Sequence, residues 1–129
     1  MLDTNICGYL MRKRPPSVLE RLAALGPERV AVSVVTAIEL RTGADLASHP
    51  PKYHTLLDVF LREIPVLPLD RRVVRATASI RASLRRVGKP IGELDALIAG
   101  HAVALGVTLV THNTREFNRV PDLVLEDWA

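Results

Sequence analysis

Short apolar runs alternate with longer stretches of helical period along the chain, and this alternation constrains the fold more than any other feature. Val107-Thr108-Leu109-Val110 is the clearest run, set off by Gly106 before it and the polar stretch Thr111 to Arg115 after it. A continuous run of this kind suits a strand buried on both faces, where neither side meets water. Val30-Ala31-Val32, Ile64 to Leu69 and Leu123 to Leu125 read as further short strands, and Met1-Leu2 as an abbreviated first one. Pro65 and Pro68 keep the Ile64–Leu69 strand brief or at an edge, because proline brings no N–H to a ladder. Strands spaced by helical patterns imply parallel pairing through crossover helices, so an α/β domain is expected.

The helical segments have readable boundaries. They run from about Asn5 to Arg12, from Pro16 or Ser17 to Gly26, and from Ser33 as N-cap through Leu46. Others run from about Lys52 to Arg62, from Asp70 as N-cap to Val87, and from Gly92 to about Leu105. The spacing predicts an inward stripe of Val73, Thr77, Ile80, Leu84 and Val87 after Asp70. It turns Val34 and Ile38 inward after Ser33, and places Leu94, Leu97, Ile98, His101 and Leu105 on or near the apolar side after Gly92. Trp128 is expected to dock the tail, and Cys7 to be a small core residue.

A length of 129 residues suits one domain, and 48% apolar with 24% charged residues excludes a disordered chain. A single cysteine excludes a disulfide framework and a cysteine-based zinc site. No apolar run is long enough for a membrane helix. The opening residues show neither a basic nor an apolar leader region, so a secretory signal is not expected and a reducing cytoplasm is. The net charge of +3 says little, but its distribution is uneven. Arg71, Arg72, Arg75, Arg81, Arg85, Arg86 and Lys89 form a stretch without an acid. Taken alone, the stripe is explained by a solvated helix face; beside a phosphodiester site it would hold a nucleic-acid backbone.

Two of the expected strands end in similar polar clusters, Asp3-Thr4-Asn5 and Thr111-His112-Asn113. Ligand sites in open parallel sheets form beyond the carboxyl ends of strands. Asp3 there is either a helix cap or a site carboxylate. Glu39 and Asp95 sit in apolar helical surroundings, where solvent exposure explains the first and the helix dipole the second. If the three acids met, burial would be costly without a cation to compensate. Asp3, Glu39, Asp95 and Asn113 would offer only oxygen ligands, the set that Mg²⁺ or Mn²⁺ prefers. Such an ion would lower the pKa of a bound water and neutralise charge on a phosphodiester. Periodicity alone does not bring the acids together.

Four segments in this order resemble a PIN domain: Met1-Leu2-Asp3-Thr4-Asn5, Ala37 to Gly43, Pro90 to Ala102, and Val110 to Phe117. The likeness covers essentially the whole chain as a single PIN domain over 1–129, and lies nearest the VapC-type toxins of bacterial toxin–antitoxin pairs. The ending, Arg119 to Leu123 and Glu126 to Trp128, resembles the subgroup of initiator-tRNA endonucleases. The resemblance implies a three-layer α/β/α sandwich with a short, mainly parallel five-stranded sheet, and a Mg²⁺- or Mn²⁺-dependent ribonuclease. Asp3, Glu39 and Asp95 match the family's metal ligands. Asn113 matches a position where many members carry a fourth Asp, so one negative charge is lost while an amide oxygen remains to ligate or to position water. Thr4, Asn5 and Thr111 match supporting polar residues, and His101 a packing position.

Glu116 is a weaker metal-site candidate, read here as an ordinary surface acid, and His112 a weaker substrate contact, read as an exposed loop residue. Arg81, Arg85, Arg86 and Lys89 would touch the RNA backbone. The resemblance further implies a homodimer and a separately encoded VapB-type antitoxin, whose C-terminal segment blocks the acidic pocket with a basic side chain. The competing reading is a non-catalytic PIN-like module binding RNA or protein, kept open by Asn113. A structure-specific DNA nuclease ranks last, because 129 residues leave little room for DNA-gripping segments.

Overall fold

The computed structural model describes residues 1–129. Its helices are α1 (Thr4–Arg12), α2 (Pro16–Leu25), α3 (Val34–Asp45), α4 (Pro50–Glu63), α5 (Arg71–Arg86), α6 (Glu93–Leu105) and the short α7 (Thr114–Phe117). Its strands are β1 (Val32–Ser33), β2 (Val66–Leu67), β3 (Leu109–Val110) and β4 (Leu125–Glu126). β1 pairs with β2 and β3 with β4, both in parallel. Leu2 joins the two pairs, bridging in parallel to Val32 on one side and Val110 on the other. The spatial order is therefore β2, β1, Leu2, β3, β4. The first segment of the chain is the middle of the sheet, and the connections depart from it in opposite directions.

Each strand is brief because one or two residues suffice to separate the two cores. Alternate side chains point to opposite faces. Met1 and Leu109 join the core under α3, α5 and α6, whereas Leu2 and Val110 join the core under α1, α2 and α4. Helices thus cover both faces of a parallel sheet, the α/β/α arrangement expected. Trp128 and Cys7 are buried in the second of these cores. α5 and α6 pack closely at Gly100, where a Cβ would lie 2.9 Å from the Thr77 Cα. Only glycine admits that approach.

The cap residues act as their types predict. Ser33 Oγ accepts from the Val35 N–H at 3.1 Å, and Asp70 Oδ1 from Arg72 N–H at 2.9 Å. Several boundaries and faces differ from the sequence reading. β1 begins at Val32, because Pro27–Arg29 form a 3₁₀ turn and Val30 leads out of it. β4 likewise lies at Leu125–Glu126, and α7 begins inside the stretch read as a loop. Val87 is exposed because α5 ends at Arg86, leaving only Val73, Thr77, Ile80 and Leu84 of the stripe buried. Ile38 and Leu94 are also exposed.

Candidate active site

The carboxyl ends of Leu2, β1 and β3 converge where the connections diverge, the usual place for a ligand in such sheets. Asp3 follows the central bridge and is 4% exposed. It caps α1, with Oδ1 accepting from the Ile6 N–H at 2.9 Å. The Thr111 hydroxyl at the end of β3 also hydrogen-bonds to it. The cap is thus observed, and the same carboxylate stands at the strand ends where a site would form. Burial raises its pKa despite these donors, and the nearby Glu39 charge raises it further.

Glu39 stands on the second turn of α3, half-buried rather than solvated. Its Oε1 accepts from Thr4 Oγ1 at 2.6 Å, and that hydroxyl lies 3.3 Å from Thr36 Oγ1. Asp95 stands on the first turn of α6. Its pKa is pushed up to about 6, first by burial and then by the charges of Glu116, Glu39 and Asp3. The helix dipole does not offset this.

Glu116 corrects the sequence reading. It is no ordinary surface acid: it shares a hydrogen bond with Asp95. Its Oε1 accepts from Gly92 N–H at 3.0 Å and its Oε2 from Asn113 Nδ2 at 2.8 Å. The Gly92 N–H is the largest cause of its lowered pKa. The signal available in the sequence was its spacing, three residues after Asn113, which one helical turn brings to the same face. Asn113 N–H donates to Thr111 Oγ1 at 3.0 Å, so the end of β3 is tied to Asp3 through Thr111 and to Asp95 through Glu116.

Four carboxyls thus face one cleft, and no lysine or arginine is ion-paired with any of them. Asp95, with its raised pKa, is the carboxyl of this group that most readily takes up a proton as pH falls. That proton partly relieves the like-charge repulsion that a cation would relieve fully.

The remaining expected residues lie elsewhere. Asn5 is exposed on the rim, its backbone N–H serving the Asp3 cap. His112 is exposed and bonded to none of the four acids, with Nδ1 3.0 Å from Asp127 Oδ2. Arg81 and Arg85 reach Glu93 at 2.5 and 3.6 Å, whereas Arg86 and Lys89 are exposed without an ion pair. His101 is buried, with Nδ1 2.8 Å from the Ser33 hydroxyl, in accord with a packing role.

Residues 1–123 match the family model described as PIN domain. The chain belongs to the PIN domain family. A "tRNA(fMet)-specific endonuclease VapC" of Shigella flexneri is 43% identical over 129 residues, spanning 100% of this chain and 97% of that protein. The crystal structure of DNA-bound VapBC from Salmonella typhimurium has a TM-score of 0.94 at 38% identity, covering 100% of this chain and 97% of that one. VapBC2 from Rickettsia felis, bound to a DNA fragment from its promoter, has a TM-score of 0.93 at 35% identity, covering 100% and 98%. PIN-domain nucleases generally depend on divalent metal ions.

The donor set of this PIN domain fits a hard divalent cation. Every candidate atom is an oxygen, and the carboxyls carry mutual repulsion that such an ion would remove. The arrangement is an acidic cleft rather than a finished cage: nowhere do three Asp, Glu, His or Cys side chains close on one point.

Proposed function

We propose that this PIN domain, a single unit over residues 1–129, is a Mg²⁺- or Mn²⁺-dependent endoribonuclease that cuts tRNA, with initiator tRNA the first substrate to examine. It acts as the toxin of a pair and is neutralised by a VapB-type antitoxin. The observation that carries this reading is the convergence of Asp3, Glu39, Asp95 and Glu116 in a cleft without a compensating cation. The 43% identity to a relative named as a tRNA(fMet)-specific endonuclease supports the substrate class.

Asp3, Glu39 and Asp95 are the residues to hold the ion, with Glu116 as a fourth carboxylate and Asn113 beside it. The ion, when bound, supplies an activated water and neutralises charge on the phosphodiester. Thr4 holds Glu39 and Thr111 holds Asp3, so neither carboxylate needs to reorganise as the substrate arrives. Burial of Asp3 keeps bulk water from screening the site. Asn113 does not argue for a silent module. Its amide anchors Glu116, so the cleft retains four carboxyls although this position is not an acid. The protein is further proposed to work in the cytoplasm as a homodimer; no helix is long and apolar enough to cross a membrane.

The test is a digest of total tRNA by antitoxin-free protein, with Mg²⁺, with Mn²⁺ and with EDTA, beside Asp95→Asn. Discrete fragments that need metal and vanish in the variant are expected. Folded protein that cuts no RNA in either metal would favour the binding module, and equal cutting of single-stranded DNA would favour the DNA nuclease.

A further inference from the structure

His112 is half-exposed, yet its ring is fixed on two sides. Its Nδ1 lies 3.0 and 3.2 Å from the two Asp127 carboxylate oxygens. The Tyr9 ring meets it edge to face with centroids 6.2 Å apart. Asp127 is itself held, since its Oδ1 accepts from the Ala129 N–H at 2.9 Å. A carboxylate only accepts, so Nδ1 carries the hydrogen and Nε2 is left without a protein partner. Surface histidines gain little stability from such anchoring, because the ring side chain is 53% exposed. The anchoring instead presets the plane of an accessible flat ring.

The place of this ring is specific. His112 lies between Thr111, which bonds Asp3, and Asn113, which bonds Glu116. Tyr9 belongs to α1, the helix that Asp3 caps. The Arg12 guanidinium lies over the Tyr9 ring, 5.5 Å from its centroid. Arg12 has no carboxylate partner and lines a groove of about 530 Å³ together with Thr4, Asn5 and Glu39. Gly8 leaves space beside it: a Cβ there would stand 3.3 Å from Arg12 Nη1. A mid-helix glycine costs helix stability, and here it leaves room for a free cation folded back toward the acids.

We propose that His112, Tyr9 and Arg12 form a substrate ledge beside the acid cleft, on which an unpaired RNA nucleobase stacks against His112 while Arg12 takes an adjoining phosphate. The assignment rests on the endoribonuclease reading and narrows its substrate to RNA whose bases are splayed from a loop. Every base has a π-face, so a flat ring accepts any of them, but only when the base is unstacked. The phosphate contact explains the one arginine of the groove that has no acid partner. The ledge lies on α1 and the end of β3, opposite the stripe on α5.

The test is fluorescence anisotropy in EDTA, where no cleavage occurs, with the full antitoxin-free chain. The probes are a fluorescein-labelled RNA stem–loop and a blunt RNA duplex of the same base composition. The wild type is expected to favour the stem–loop. His112→Ala should weaken stem–loop binding at least about fivefold, the loss of one stacked base, while His112→Phe stays within about twofold. Arg12→Gln should weaken both probes and flatten the salt dependence by about one ion. Melting temperatures should not move, since the His112 and Arg12 side chains are exposed. Equal affinity of His112→Ala and wild type overturns the ledge. So does a wild type that binds duplex and stem–loop alike, or a Phe variant as weak as the Ala variant. A protein that fails to cut tRNA yet binds the loop through His112 would instead sink the nuclease reading and leave the ledge standing.

Discussion

Two clusters of charged side chains in this molecule have opposite logic. Between α3 and α4, Arg41 bonds to Asp58, to the His54 carbonyl and to His54 Nδ1, while His54 Nε2 lies 2.8 Å from Asp45. Arg41 meets its opposite charge in Asp58, and the neutral His54 ring links Arg41 to Asp45 by accepting at Nδ1 and donating at Nε2. At the carboxyl end of the sheet, Asp3, Glu39, Asp95 and Glu116 meet each other and neutral donors, and none is ion-paired, Arg119 acting on Glu116 only from a distance. The first cluster ties two helices together. The second stores unfavourable electrostatics that folding alone does not relieve. A group of like charges held against repulsion is the mark of a site built for a ligand of opposite sign.

The largest effect expected from this contrast is on activity. Asp3→Asn and Asp95→Asn should lower the cleavage rate at least about a hundredfold, as loss of a metal ligand does. Asn preserves the α1 cap at position 3, so the fold is kept. In metal-free buffer the Asp95 variant should melt higher than the wild type, because one repelling charge is gone. A lower melting temperature would break the comparison, since the acids would then be stabilising as they stand.

Metal should come next. Mn²⁺ at about a hundred times its Kd should stabilise the wild type by roughly 2.7 kcal/mol, a shift of several degrees that EDTA reverses. A melting curve indifferent to Mn²⁺ would mean the cleft is not a metal site. The same repulsion gives a pH signature. Asp95 has its folded pKa raised from 3.8 to about 6, so its contribution is fully present below 3.8 and is lost as pH rises to about 6. Between pH 5 and pH 7 the metal-free wild type should therefore lose melting temperature relative to Asp95→Asn, and saturating Mn²⁺ should abolish that loss. Thermal scans at both pH values, with and without metal, check this.

The satisfied cluster should respond weakly. Arg41→Ala should lower the melting temperature by no more than a few degrees, because the pair is largely exposed, and should leave the cleavage rate unchanged. The smallest effect belongs to the α5 stripe. Arg86→Ala should reduce RNA affinity a few-fold at low salt, while Arg81→Ala, already paired with Glu93, should change it less. Equal losses would show that the Glu93 pair opens when RNA binds.

Much of the frame was legible in the residues. Asp3, Ser33 and Asp70 announce three helix starts because short polar side chains satisfy free N–H groups, and that chemistry is local. The run ending in Val110 announced a buried strand for the same reason. What failed was the facing of single side chains. Ile38 and Leu94 are apolar yet exposed, because α3 and α6 carry apolar residues around much of their circumference and so do not single out one inward face. Glu116 was read as a surface acid because nothing within its own segment distinguishes it.

The α/β class, the helix caps and the three acids that a family likeness marks were all readable along the chain, since each rests on local chemistry or on ordered motifs. Packing made Leu2 the middle of the sheet, brought Glu116 beside Asp95, and paired Arg81 with Glu93 while Arg12 meets only the Tyr9 ring. These depend on contacts between residues far apart in the chain, and on the desolvation and repulsion that arise only after packing brings them together.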